Sequence, residues 1–332
     1  MYQGNIVFVY DTSPEGRSSA VWLAEWPIAS LSRMGYFVDG MSIFDAINPT
    51  REQKRVLSQA DIILYERHID DPWLGFLDWA ATNKRLYLML DDAYWCAHPS
   101  ESTHRFWFQN NRLEKLEQVA KSARGVIVPS RKLARHFDNG IFKPNRPDFL
   151  DPCWSISPLF DDNVILWGGT SGHIAGMEDH PCLEAVRQLV EDGNVRFIAV
   201  YSSPAIKEAL EKAVGSVTFT NFLPYGEWLR VLSGATISIC PTGEGYDEYR
   251  SWIKALESAA AGTVWVGSDN GVYEEAEGGV EINNSVRSWY EGLKWLLEDD
   301  VARSAKRNEG LRWAWQQGLD DHMEEWEAIF NE

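Results

Sequence analysis

Short apolar runs rich in β-branched residues alternate with amphipathic stretches of helix length through almost the whole chain. The short runs predict strands buried on both faces, and the longer stretches predict the crossover helices that cover a parallel sheet. In the first half, strands are expected at 6–10, 61–65, 85–90 and 125–129, with helices at 18–34, 51–59, 72–82 and 110–122. Gly35 stops the first helix, and Pro27, which has no N–H to donate, should kink it.

A stretch rich in Pro, Asn and Asp at 143–162 interrupts this alternation, which marks a domain boundary. The second half then predicts strands at 164–167, 195–201, 217–221, 236–240, 263–266 and 279–282, and helices at 178–192, 204–214, 225–233 and 249–261. From 285 the pattern is helical, with Trp289, Leu293, Trp295 and Leu296 on one side, then 311–317 and 322–330. The expected fold is α/β: two Rossmann-like, doubly wound domains facing across a cleft. Residues 1–150 are expected to form the first domain and 151–310 the second, with C-terminal helices at 311–332 packing back on the first. Ligands of such sheets bind beyond the carboxyl ends of the strands, so chemistry is sought in the loops that follow them.

Composition narrows the function classes. A chain of 332 residues with 45% apolar content can bury two cores. Its net charge of −18 repels polyanions at long range and argues against a generic nucleic-acid binder. The charge is uneven. Between Arg105 and Arg146, ten Lys or Arg stand against Glu114, Glu117 and Asp138, a local +7 that leaves −25 for the remainder. Cys96, Cys153, Cys182 and Cys240 have no CxxC spacing, which points to neither a zinc site nor a disulfide framework. Sixteen tryptophans are compatible with core packing or with stacking on sugars and bases. No run reaches the roughly 18 to 20 apolar residues of a membrane span, so a cytoplasmic location is expected.

The most informative segment runs from Cys240 to Asp269. In a helix over 249–261, Arg250, Lys254 and Glu257 fall at i, i+4 and i+7 on one face, while Trp252, Leu256 and Ala259 share another. Cations in the first turn, aided by the macrodipole, suit a pyrophosphate, and a carboxylate one turn on suits the two hydroxyls of a ribose. The same spacing also fits a solvated face with a weak Lys–Glu pair. Upstream, the strand 164–167 runs into the loop Gly168-Gly169-Thr170-Ser171-Gly172-His173, whose amides from Gly169 to Ser171 could cradle phosphate.

The string Arg250-Ser251-Trp252-Ile253-Lys254-Ala255-Leu256-Glu257, followed by small residues, Gly262, an apolar strand and Ser268-Asp269, resembles the donor-site signature of GT-B retaining glycosyltransferases, the glycosyl transferases group 1 or family 4-like enzymes. The resemblance implies Lys254 on the donor phosphates and Glu257 on the ribose. It implies Arg250, Lys254 and Glu244 as catalytic residues, and Gly168, Gly169, Thr170, Ser171, Tyr246, Ser251, Lys254 and Glu257 as donor-binding ones. One departure stands out: the family's second Glu, eight positions before Glu257, is replaced by Tyr249, and Glu244 in a glycine-flanked loop is the preferred substitute.

The first half is similar to the acceptor domain of the same group at 60–67, 88–95 and 125–133. Acceptor-side candidates are Asp11, Arg67, Asp91, Asp92 and His98. Asp91-Asp92 could cap a loop, hold an acceptor or act as a base; a metal role would favour Asp-x-Asp spacing.

The reading that follows is transfer of a sugar from a nucleoside diphosphate sugar, UDP-sugar before GDP-sugar, to a hydroxyl acceptor, with no metal or other cofactor required. The resemblance carries retention. The acceptor is expected to be a saccharide or lipid-linked glycan, with a peripheral position at the inner membrane face left open. Alternatives are a phage-type enzyme that glycosylates hydroxymethylated DNA bases through the 105–146 segment, a sugar-nucleotide epimerase, and a non-catalytic nucleotide-sugar binder.

Overall fold

A computed structural model describes residues 2–13, 17–99, 101–156, 163–169, 179–193, 195–201 and 203–332. The chain divides into two compact units. The first comprises Met1–Ala93, Trp107–Asp151 and Gln317–Glu332; the second comprises Tyr94–Phe106 and Pro152–Gln316.

The first unit holds a six-stranded sheet of β1 (Asn5–Tyr10), β2 (Phe37–Ser42), β3 (Ile62–Glu66), β4 (Arg85–Met89), β5 (Gly125–Val128) and β6 (Gly140–Phe142), in the order β2-β1-β3-β4-β5-β6. Every pairing is parallel. The apolar runs of β1, β3, β4 and β5 are buried along nearly their whole length, as a sheet covered on both faces requires. The two strands that periodicity does not predict, β2 and β6, are the sheet's edges. Half of β2 (FVDGMS) is exposed, so no apolar run announces it. The helix expected at 18–34 runs from Arg17 to Arg33, but Val21–Glu25 form a π turn in which the Trp26 N–H donates to the Val21 carbonyl. The widened turn falls immediately before Pro27, where the regular ladder has lost a donor.

The second unit repeats the design with β7 (Val164–Gly169), β8 (Arg196–Tyr201), β9 (Thr218–Asn221), β10 (Ile237–Cys240), β11 (Val264–Ser268) and β12 (Val280–Ile282), in the order β12-β11-β10-β7-β8-β9 and all parallel. Trp167, Phe197, Val186, Leu210 and Trp289 lie in its core. On the helix Val286–Glu298, Trp289, Leu293 and Leu296 are buried, but Trp295 is exposed, which corrects its expected place on the packing side. Ten tryptophans are buried, Trp167, Trp265 and Trp289 most completely, so packing accounts for most of the high count.

Much of the basic segment's charge serves the first unit's own architecture. Arg112 pairs with Asp70 and Lys115 with Asp71. Arg146 is buried, clasps the Glu325 carboxylate and donates to Gln317 Oε1 at 2.7 Å. Lys143 lies buried over the Trp326 ring, 4.2 Å from its centroid, and burial lowers its ammonium to about 8. Arg33 adds a bidentate pair to Asp148, both bonds at 2.8 Å, and a further one to Asp320. The Arg146–Glu325 and Lys143–Trp326 contacts fasten the last helix, Met323–Asn331, to the body of its unit. Among the ten basic residues, Arg105, Lys121, Arg124, Arg131, Lys132 and Arg135 are exposed.

Candidate active site

In the second unit the strand order reverses between β7 and β10, and the crevice beyond their carboxyl ends is the expected ligand position of a doubly wound sheet. Gly168 and Gly169 close β7, and Cys240 closes β10. The segment after Cys240 is wired by polar contacts. Thr242 N–H donates to Ser268 Oγ at 2.9 Å, and Gly243 N–H donates to Asp247 Oδ2 at 2.9 Å.

The helix that follows starts later than periodicity predicts. A 3-10 turn spans Gly245–Tyr249, Arg250 is extended with ψ 161°, and the α-helix covers only Ile253–Ala260. Asp247 explains the delay, because its carboxylate engages the Gly243 N–H and, at 2.7 Å, the Arg250 Nε, and such local side-chain contacts compete with helix. Arg250 therefore does not share a helical face with Lys254 and Glu257. Its guanidinium lies 5.0 Å from the centroid of the buried Tyr246 ring. Ser251 is half-buried in the link to the helix.

Lys254 occupies the helix's first turn, and its Nζ donates to the Gly168 carbonyl at 2.9 Å. Burial, then the nearby Arg250 charge, lower the ammonium to about 8. The lysine thus brings a cation to the end of β7, where the glycine-rich loop begins. Thr170 and Ser171 of that loop, with His173, lie outside the described residues. Glu257, one turn on, is 9% exposed and accepts two hydrogen bonds: Tyr225 Oη donates to Oε1 at 2.8 Å and Trp228 Nε1 to Oε2 at 3.2 Å. Glu244 is exposed at the start of the 3-10 turn, whereas Asp247 is the buried carboxylate of that loop.

The first unit gathers polar residues at its own reversal point, between β1 and β3. Asp11 follows β1, and its N–H donates to Glu66 Oε2 at 2.8 Å; its carboxylate meets His68 Nε2 at 3.2 Å. Arg67 has φ 23°, a backbone region that non-glycine residues rarely occupy, and its Nη1 reaches both Asp91 oxygens at 2.8 and 3.0 Å. Ser19 Oγ donates to Asp91 Oδ2 at 2.7 Å. Glu66 is fully buried, and burial raises its carboxyl to about 7 against the opposing pull of Arg67. Asp92 is half-buried beside Asp91, while His98 sits exposed in the segment that belongs to the second unit.

Sequence reasoning overlooked Asp247, Tyr225, Trp228 and the buried state of Glu66. Tyr225 and Trp228 did leave a signal: they stand at i and i+3 on the helix Tyr225–Ser233, so both rings emerge on one side.

Residues 171–299 match the sequence model described as "Glycosyl transferases group 1", a span that includes the helix with Lys254 and Glu257. The chain is a glycosyltransferase of GT-B architecture. Sucrose-phosphate synthase from Thermosynechococcus elongatus is 13% identical, with 99% of this chain and 97% of that one covered at a TM-score of 0.68. An α,α-trehalose-phosphate synthase (UDP-forming) from Burkholderia vietnamiensis is 11% identical, with 99% and 97% covered at 0.63. TarM of S. aureus, solved with fondaparinux, α-GlcNAc-glycerol and UDP, is 15% identical, with 82% of this chain and 55% of TarM covered at 0.58. At these identities the likeness establishes fold. No curated protein matches the sequence. Among the glycosyltransferase's described residues, no helix is long and apolar enough to cross a membrane.

Proposed function

We propose that this glycosyltransferase takes a sugar from a nucleoside diphosphate sugar held by its second unit and transfers it, with retention, to a hydroxyl of a saccharide acceptor. The observation that carries the reading is the Lys254 ammonium at the end of β7, on the helix that also presents Glu257. A cation at a helix start beside a glycine-rich strand end suits a diphosphate, and the carboxylate one turn along suits the ribose. As the sugar's bond to the diphosphate breaks, negative charge grows on the leaving group, so a fixed cation there stabilises the transition state more than the bound donor. UDP is the favoured nucleotide, supported by structural neighbours described as UDP-forming or solved with UDP. In the first unit, Asp11, Arg67 and Asp91 form the polar cluster proposed to receive the acceptor, with Asp92 beside them.

The test is release of nucleoside diphosphate from UDP-, GDP-, ADP- and TDP-sugars, each with and without simple glycans. Release from one donor that rises with one acceptor supports transfer and names both substrates. Conversion of the bound sugar with no diphosphate released would replace this reading with an epimerase.

A further inference from the structure

Glu257 is not presented to a ligand as a lone carboxylate. Each of its oxygens receives a donor from the helix Tyr225–Ser233: the phenol of Tyr225 at Oε1 and the indole N–H of Trp228 at Oε2. An ionised carboxylate has about four acceptor positions, so one protein donor on each oxygen fixes its plane and is compatible with one ligand hydroxyl on each. Trp228 does a second thing. Its ring lies so close to Gly168 that a Cβ at that position would stand 2.5 Å from the indole Cη2. The same indole therefore touches the strand end whose carbonyl holds Lys254, and its N–H holds the carboxylate three residues further along the helix. One side chain sets the relation between the proposed phosphate contact and the proposed ribose contact.

We propose that Tyr225 and Trp228 are positioning residues that lock Glu257 for the vicinal hydroxyls of a ribose, and that this lock makes the site select ribonucleoside over 2′-deoxyribonucleoside diphosphates. The inference rests on the reading of Glu257 as the ribose ligand. Selection follows from desolvation as well as contact: a fixed, largely buried carboxylate that loses one of its hydroxyl partners has no easy way to turn and recover it. A carboxylate free to rotate about its last torsion would discriminate less, because it could satisfy a single hydroxyl equally well.

The experiment measures dissociation constants for UDP, 2′-deoxy-UDP and inorganic pyrophosphate by titration calorimetry. The proteins are the wild type, Tyr225→Phe, Trp228→Phe and Glu257→Ala, each checked by thermal melting; GDP or ADP with its 2′-deoxy form replaces the UDP pair if it binds better. The wild type should prefer the ribonucleotide by about tenfold, the worth of one hydrogen bond to a charged group. Glu257→Ala should abolish the preference. Tyr225→Phe, which keeps its ring, and Trp228→Phe, which loses the indole N–H together with part of the ring, should each lower it several-fold and leave pyrophosphate affinity unchanged. If Glu257→Ala removes the preference but both Phe variants keep it, positioning is overturned and the ribose contact stands. A preference that survives in Glu257→Ala overturns the ribose contact and the proposal together. An equal loss across all three ligands in the Phe variants reduces the pair to a structural role. Binding of none of the nucleotides would overturn the donor reading itself.

Discussion

Lys254, in the first turn of the helix Ile253–Ala260, donates from Nζ to the backbone carbonyl of Gly168 at the end of β7, 2.9 Å away. This contact sets a fixed ammonium at the crevice where the strand order reverses, in the proposed donor site. Lys254→Ala should lower kcat by roughly 10²- to 10³-fold, the usual cost of removing one preorganised charge donor. Melting should fall by less than about 4 °C, because the lost hydrogen bond to Gly168 is offset by relief of the ammonium's own desolvation. An unchanged turnover would remove Lys254 from the phosphate site.

The same lysine predicts a pH dependence. Its ammonium is lowered to about 8 by burial and by Arg250, with Asp247 and Glu257 pulling the other way; Cys240 also faces it, but its own thiol is raised to about 11 and stays neutral. Affinity for nucleoside diphosphate should therefore decline as pH rises through about 8, and a bound anion should move the midpoint upward. Lys254→Arg should carry its charge through that range and remove the decline. Stability has the opposite sign: between about 8 and 10.5 the unfolded chain keeps a proton that the folded one has lost, so stability gains as pH rises there. Calorimetric titrations at pH 7, 8 and 9 test the binding limb.

Glu66 gives a second pH signature, this time in the first unit. Its folded carboxyl is raised from 4.5 to about 7 by burial. Between these values the folded state holds a proton that the unfolded state has released. Stability from this group is thus fully present below about 4.5 and is lost as pH rises to about 7, by up to about 3 kcal/mol. Glu66→Gln keeps an acceptor for the Asp11 N–H and removes the titration. The variant should gain on the wild type in urea unfolding at pH 8 and match it near pH 4.5.

Arg146 holds the C-terminal helix through Glu325 and Gln317 from a buried position. Breaking a buried pair by deleting one partner leaves the other charge uncompensated, at a cost of about 3 to 5 kcal/mol. Arg146→Ala should speed amide exchange across residues 317–332 well before the sheet of the second unit is affected. Unchanged exchange there would show that Lys143, Arg33 and the aromatic contacts suffice to hold the helix.

Gly168 offers a packing test. A methyl group there would meet the Trp228 ring at 2.5 Å, inside any normal contact distance, so Gly168→Ala should weaken donor binding by displacing the indole from Glu257. Combining it with Trp228→Phe, which shortens the ring, should relieve the clash, visible as a smaller loss of Tm in the double variant than the two single losses predict.

What the sequence determined by itself is the periodic framework. Strands such as β1, β3, β4, β5, β8 and β11 are continuous apolar runs because they are buried on both faces, and that demand is written locally. The Lys254–Glu257 spacing was equally legible, since it lies within one helix. Tertiary structure alone decided what depends on partners far along the chain. The edge strands β2 and β6 carry little local signal because an edge buries little. The basic excess at 105–146 looks like a surface patch until Asp70, Asp71 and Glu325 arrive from elsewhere to neutralise part of it. Arg250 leaves the helical face because Asp247 captures it, a contest between local contacts that periodicity does not weigh. The donors to Glu257 come from a helix about thirty residues upstream, and Glu66 acquires its raised carboxyl only inside a folded sheet. Periodicity reports what each residue needs from its neighbours in sequence, whereas hydrogen-bond partners and desolvation are properties of the space the fold creates.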